Sequence, residues 1–168
     1  MIRKYVFGTP FNTESVVSDI APAEGLPVYG EISTEKGFSF TMHLDDDDRV
    51  YGLGQANRGI NKRGFTYTSN CTDDDEHIES KVSLYGAHNF IVIAGDNQNV
   101  GLYFDYPGII TFDIGYTKYD TLLVTCDRAD MDLYVIEGDG PYDITKQFRG
   151  IIGQSYIPPK YAFGFGQS

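Results

Sequence analysis

The chain has 168 residues, enough for one compact domain that buries on the order of 70% of the surface its unfolded form exposes. Its 24 acidic and 13 basic residues give a formal charge of -11, which repels nucleic acid and anionic membranes and excludes both as expected partners. Cys71 and Cys126 are too few for a disulfide framework, and MIRKYVFGTP lacks the apolar stretch of a secretion signal, so free thiols and a cytoplasmic location are expected.

In chain order, Arg3 to Phe7 and Ser15 to Ile20 read as short strands bounded by Gly-Thr-Pro and Pro-containing breaks. Leu26 to Ser33 and Phe38 to Leu44 flank Thr34-Glu35-Lys36-Gly37. In the second of these, Phe38, Phe40, Met42 and Leu44 alternate with polar residues, which predicts a hairpin with one wet face. Asp45 to Asp48 are like charges in a row and read as a solvated loop. The ligand alternation and closing Glu of a calcium loop are missing.

Arg49 to His77, RVYGLGQANRGINKRGFTYTSNCTDDDEH, joins a short aromatic strand, a glycine-rich basic turn, a second strand and the acidic run Asp73-Asp74-Asp75-Glu76. Carboxylates beside guanidinium and amide groups suit a polyhydroxylated ligand, because sugar hydroxyls both donate and accept hydrogen bonds. Asn89 to Ala94 is an almost continuous apolar run, expected to be covered on both faces. Gly95 to Asn99 turns it back into Val100 to Tyr106. Ile109 to Ile114, Thr121 to Cys126 and Met131 to Ile136 continue at regular spacing, which argues an antiparallel sandwich.

From Pro141 to Ile152 the period changes. Ile144, Phe148, Ile151 and Ile152 recur at helical spacing, with Pro141 suited to the first turn and Gly153 to the stop. Tyr156 to Lys160 breaks the helix, and Tyr161 to Ser168 reads as a strand with no partner, an aggregation hazard at a natural terminus. The expected division is a β-sandwich domain over 1–157 and, over 158–168, a linker and the start of a strand belonging to a further domain.

Other residues carry structural expectations. Lys62 and Arg63 are expected to pair with nearby carboxylates, and His88 to be a hydrogen-bonded structural histidine. His43 and His77 lack metal-ligand spacing. Gly52, Gly54, Gly59 and Gly64 do not make a phosphate loop, since no Gly-Lys-Ser/Thr follows and no helix begins there. Asn70-Cys71-Thr72 matches a glycosylation acceptor only formally, without a secretion signal beside it. No cofactor and no metal are expected.

Six short motifs stand in a fixed order: Tyr51-Gly52-Leu53-Gly54, Asn61-Lys62-Arg63-Gly64, Ser83-Leu84-Tyr85-Gly86, Gly101-Leu102-Tyr103-Phe104-Asp105, Asp132-Leu133-Tyr134-Val135-Ile136 and Pro158-Pro159-Lys160-Tyr161-Ala162-Phe163-Gly164. In that order the chain from about Arg49 onward resembles the N-terminal region of glycoside hydrolase family 31. Gln55 departs from the glutamate that members often carry after Gly-Leu-Gly.

The resemblance implies a mutarotase-like β-sandwich preceding a (β/α)₈ barrel whose first strand starts near Tyr161. It implies retaining α-glucosidase chemistry on α-linked oligosaccharides or disaccharides, with nucleophile and acid/base both on barrel loops beyond Ser168. Such chemistry needs two carboxyl groups about 5 to 5.5 Å apart, and no residue of this chain is assigned either role. It also implies that a sandwich loop walls the substrate pocket near the leaving-group sugar. By spacing from Ser83-Leu84-Tyr85-Gly86 that loop falls at Asp73 and Asp74, the expected substrate-binding residues, with a one-position ambiguity between them. A free-standing carbohydrate-binding sandwich and a purely structural domain are the alternatives. The absence of Trp weighs against the first.

Overall fold

Alternating apolar side chains become ten strands in the computed structural model, which describes residues 1–164. They are β1 (Ile2–Phe7), β2 (Glu31–Ser33), β3 (Phe38–His43), β4 (Arg49–Gly52), β5 (Phe65–Ser69), β6 (Phe90–Ala94), β7 (Asn99–Asp105), β8 (Ile110–Ile114), β9 (Thr121–Cys126) and β10 (Met131–Glu137). All strand pairs are antiparallel, in two sheets ordered β1-β10-β7-β6-β4 and β2-β3-β9-β8-β5. The first strand thus pairs with the last, Ile2 opposite Ile136, and closes the first sheet across most of the chain. No helix among the described residues is long and apolar enough to cross a membrane.

The β-sandwich expected from the strand spacing is present. Phe38, Phe40 and Met42 of β3 meet Ile91 and Ile93 of β6 and Leu102 and Phe104 of β7 in one core between the sheets. Phe104 lies edge-to-face with Phe40 at 5.9 Å and with Phe112 of β8 at 5.7 Å, a favoured ring geometry. A second core forms on the outer side of the first sheet, beneath the helix α1 (Pro141–Ile152). There Ile144, Phe148 and Ile151 pack on Phe90, Val92, Tyr103, Tyr134 and Ile136. This explains the unbroken apolar run of β6: Ile91 and Ile93 face the sandwich, while Phe90 and Val92 face the helix. At Gly101 of β7 a Cβ would come 2.5 Å from Ile144 Cγ2, so the missing side chain lets α1 sit close on the sheet.

Four expectations are corrected. Ser15 to Ile20 is not a strand. The Thr13 and Ser15 hydroxyls each donate to Asp105 Oδ1 at 2.7 Å, the Val17 N–H donates to the Ile151 carbonyl at 2.8 Å, and Val16 and Ile20 pack on the helix-side core. Their β-branched side chains serve packing, and Pro22, which has no N–H for a ladder, limits contact with β1 to a single bridge at Lys4. Leu26 to Gly30 likewise stays outside the short β2.

Asp45 to Asp48 is a built corner rather than a solvated loop. Asp48 is fully buried, its Oδ2 accepting from the Asp45 N–H at 2.8 Å and from the Gln98 side-chain amide. Among the described residues no three carboxylate, imidazole or thiol groups gather that would hold a metal ion. At the other end, Lys160–Phe163 forms a 3₁₀ turn instead of opening a strand, and the remainder of the expected strand, 165–168, lies outside the described residues.

Candidate functional site

The stretch between β4 and β6 contributes β5 to the second sheet and otherwise folds on itself at one end of the sandwich. Its first fixed point is a contact between two of the family motifs. The Gln55 N–H donates to the Gly86 carbonyl at 2.7 Å, and a Cβ at Gly54 would lie 1.8 Å from that same oxygen, so Gly54 exists to permit the approach. Gln55 therefore contributes here through its backbone, whatever side chain it carries. Leu84, 1% exposed, plugs the root of the returning segment. Backbone bonds from Thr68 to Val82 (3.0 Å) and from Thr72 to Leu84 (2.9 Å) zip that root together.

Among the described residues Lys62 and Arg63 do not pair with carboxylates, contrary to expectation. Lys62 is 7% exposed and donates from Nζ to the Gly59 carbonyl at 3.2 Å; burial, with Arg58 nearby, lowers its pKa. Arg63 donates to the backbone carbonyls of Asp45, Asp48 and Tyr119, and its guanidinium stacks 4.2 Å from the Tyr119 ring. Both direct their donors to backbone carbonyls, groups that need a partner once water is excluded.

The acidic run forms the tip. Asp74 Oδ2 accepts from Lys81 Nζ at 2.6 Å and its Oδ1 accepts from the Glu76 N–H at 2.9 Å. Lys81 also lies 3.3 Å from Glu76. The Lys81 ammonium, helped by the Glu76 N–H, holds the Asp74 carboxyl below the usual carboxylate range, and Asp74 in turn raises Lys81. Asp73 differs. It is exposed, and its side chain makes no hydrogen bond or ion pair among the described residues. Of the two sequence candidates, Asp74 is consumed in building the loop and Asp73 remains available to a ligand.

Beside the loop root lies an open groove of about 470 Å³, lined among others by Asn70, Cys71, His88, Tyr103 and Tyr106. Burial pushes the Tyr103 and Tyr106 phenols up to about 12, so neither exchanges a proton near neutral pH. No carboxylate lines this groove among the described residues. His88 packs edge-on against Phe148 at 5.8 Å, and desolvation lowers its pKa; this packing, rather than the expected hydrogen bond, is what holds it.

Sequence reasoning missed Arg58. Its guanidinium lies over the rings of Phe65 (4.3 Å) and Tyr67 (5.2 Å). It donates to the carbonyls of Thr66 (2.9 Å), Glu79 (2.7 Å) and Ser80 (3.4 Å), joining the glycine-rich turn to the far side of the acidic loop. A signal was present, since alternate aromatics on an edge strand offer a stacking surface to an arginine seven residues upstream.

Residues 8–113 match the glycosyl hydrolase 31 N-terminal galactose mutarotase-like domain. An α-glucosidase 2 of Bacillus thermoamyloliquefaciens is 30% identical over 143 residues, covering 80% of this chain and 18% of its own. An α-glucosidase of Saccharolobus solfataricus is 24% identical over 168 residues, 98% of this chain and 24% of the relative. Among solved structures, a dextranase of Flavobacterium johnsoniae complexed with glucose has TM-score 0.72 at 23% identity, over 80% of this chain and 16% of that one. A cycloalternan-forming enzyme of Listeria monocytogenes with a pentasaccharide substrate has TM-score 0.67 at 26% identity, over 76% and 12%. The chain thus spans about a quarter or less of the length of these relatives.

Proposed function

The chain belongs to the family of glycosyl hydrolase 31 N-terminal galactose mutarotase-like domains, and from that premise we propose that it is the non-catalytic sandwich of a retaining, α-glucosidase-type glycoside hydrolase. Its acidic loop stands at the rim of the substrate pocket of the complete enzyme, with Asp73 facing an α-linked oligosaccharide or disaccharide. The two catalytic carboxylates belong to a barrel outside this chain, and the fragment alone is inactive.

The observation that carries this reading is the division of labour in the loop. Lys81 and the Glu76 N–H occupy Asp74, while Asp73 is solvent-facing with both oxygens ready to accept from sugar hydroxyls. A carboxylate there changes how the leaving-group sugar is held without touching the bond that breaks, so it acts on linkage preference. The ligands bound in the similar structures, glucose and a pentasaccharide, are of the matching chemical class.

The rival reading, a free-standing carbohydrate-binding module, needs aromatic rings with a bare face. Phe65, Tyr119 and Phe11, all substantially exposed, carry Arg58, Arg63 and Arg128 on theirs. Those three rings are taken by their arginines, whereas the more exposed Tyr116, Tyr142 and Tyr156 carry no such cation among the described residues.

The test is kinetic. In the complete enzyme, Asp73→Ala is expected to shift the ratio of kcat/KM between α-1,4 and α-1,6 disaccharides by threefold to thirtyfold, about 0.6 to 2 kcal/mol of differential binding. An unchanged ratio in a well-folded variant refutes the pocket-rim role and leaves a structural domain.

A further inference from the structure

The acidic tip is placed by few backbone bonds of its own. From Asp73 to Lys81 these are the short contacts Ile78 N–H to Glu76 O (3.1 Å) and Lys81 N–H to Ile78 O (3.2 Å). Turns this small, outside both sheets, do not fix a loop against the rest of a domain. What ties the tip to the sandwich is a side chain from a different segment. Arg58 reaches across 21 residues to the Glu79 carbonyl and 22 to that of Ser80, and anchors its third bond on the Thr66 carbonyl of β5. Its faces rest on Phe65 and Tyr67, the alternate residues of the same strand. The guanidinium is therefore held against the sheet on one side and grips two successive loop carbonyls on the other. A planar fork with five donors can do this, whereas a single ammonium cannot.

Lys81 completes the arrangement. It follows directly after the two gripped carbonyls, and from there its ammonium reaches back to Asp74 and Glu76. The chain of contacts runs from β5 through Arg58 to Glu79 and Ser80, then through Lys81 to Asp74, whose neighbour is Asp73. We propose that Arg58 is a positioning residue for ligand recognition: it sets where Asp73 stands at the pocket rim without touching the ligand itself. The inference rests on the reading of Asp73 given above.

Two measurements separate the inference from that reading. The first is amide hydrogen exchange on the 168-residue chain. Arg58→Lys keeps the charge and loses the fork, while Arg58→Met keeps the stem on Phe65 and guards against misfolding from lost packing. Exchange at Glu76, Ile78 and Lys81 is expected to quicken about tenfold in both, the effect of losing one or two net hydrogen bonds. The core strands β6 and β7 keep their protection.

The second is a double-mutant cycle on linkage preference in the complete enzyme. Arg58→Lys is expected to move the α-1,4 to α-1,6 ratio in the same direction as Asp73→Ala, through KM more than kcat, and to have no further effect in the Asp73→Ala background. Unchanged exchange overturns the positioning role while leaving Asp73 in place. An equal effect of Arg58→Lys in both backgrounds overturns it too, because Arg58 would then act independently of Asp73. A silent Asp73→Ala sinks the underlying reading itself, and is recognisable as such before Arg58 is touched.

Discussion

Replacing Phe148 by Ala tests whether α1 is part of the domain's cooperative unit. Phe148 is 4% exposed, stacks on Phe90 with centroids 3.8 Å apart and planes 9° apart, and meets Tyr103 edge-on at 5.1 Å. A buried aromatic side chain covers roughly 150 to 250 Å², worth about 4 to 6 kcal/mol at 25 cal/mol per Å², of which the remaining Cβ keeps a part. Truncations of this kind cost about 3 to 5 kcal/mol. For a chain of this length each kcal/mol lowers Tm by roughly 2 to 4 °C, so the expected fall is about 6 to 20 °C. Urea unfolding followed by near-ultraviolet and far-ultraviolet dichroism measures it, with Phe148→Leu as the control that keeps volume and loses the stack. Its expected cost is less than half as large. A loss below about 1 kcal/mol for Phe148→Ala, with the two probes separating, refutes the reasoning: α1 would then be an appendage that melts alone.

Two further outcomes follow from the loop. Gly54→Ala puts a Cβ against the Gly86 carbonyl and is expected to raise exchange at Gln55 and to destabilise the domain by about 1 to 3 kcal/mol, the range for overpacking; a neutral effect would mean that the contact is not held in solution. Asp74, whose pKa is depressed by Lys81, contributes order that is full above its unfolded value of about 4 and is lost as pH falls through the lower folded value. Lys81→Met is therefore expected to quicken exchange at Glu76 near neutral pH and to converge with the parent protein once the pH has fallen below the depressed value of Asp74, and a difference that persists in acid would refute the pair as its cause.

The strands and helix were legible wherever one side chain in two, or one in three to four, had to face a core. Pro141–Ile152 and Thr121–Cys126 carry the same limits in sequence and structure for that reason. Ser15 to Ile20 misled because β-branched residues suit any apolar surface, and only the occupied edge of β1 and Pro22 decide against a ladder. The pairing of β1 with β10 and of β3 with β9 was not readable, since nothing local to those strands names a partner 78 residues or more away. Asp48 and Lys62 defeated the rule that charge means solvent: Asp48 is held by the Asp45 N–H three residues before it and by the distant Gln98 amide, and Lys62 by the Gly59 carbonyl three residues before it. The acidic tip itself was legible as a cluster. That Asp74 is paired and Asp73 is not could not be read there, because it depends on Lys81, which returns to the tip through the turn at Ile78.

The contact between Gly54 and Gly86 changes what the motifs mean. Tyr51-Gly52-Leu53-Gly54 and Ser83-Leu84-Tyr85-Gly86 are 32 residues apart in sequence, yet their last glycines touch through one carbonyl, and Leu84 is buried beside them. Neither motif presents a reactive group. Together they form a clasp that closes the segment between them into a loop with a fixed root. Between them run the motif Asn61-Lys62-Arg63-Gly64 and β5, which the second sheet fixes, and then the tip from Asp73 to Lys81, which lies outside both sheets and tolerates change in length and charge more readily. Arg58, Asp73, Asp74 and Lys81 all lie inside the bracket. The residues that carry the motifs and the residues that would tune a ligand therefore fall on different parts of one segment, and a search for specificity belongs on the tip from Asp73 to Lys81 rather than on the motifs.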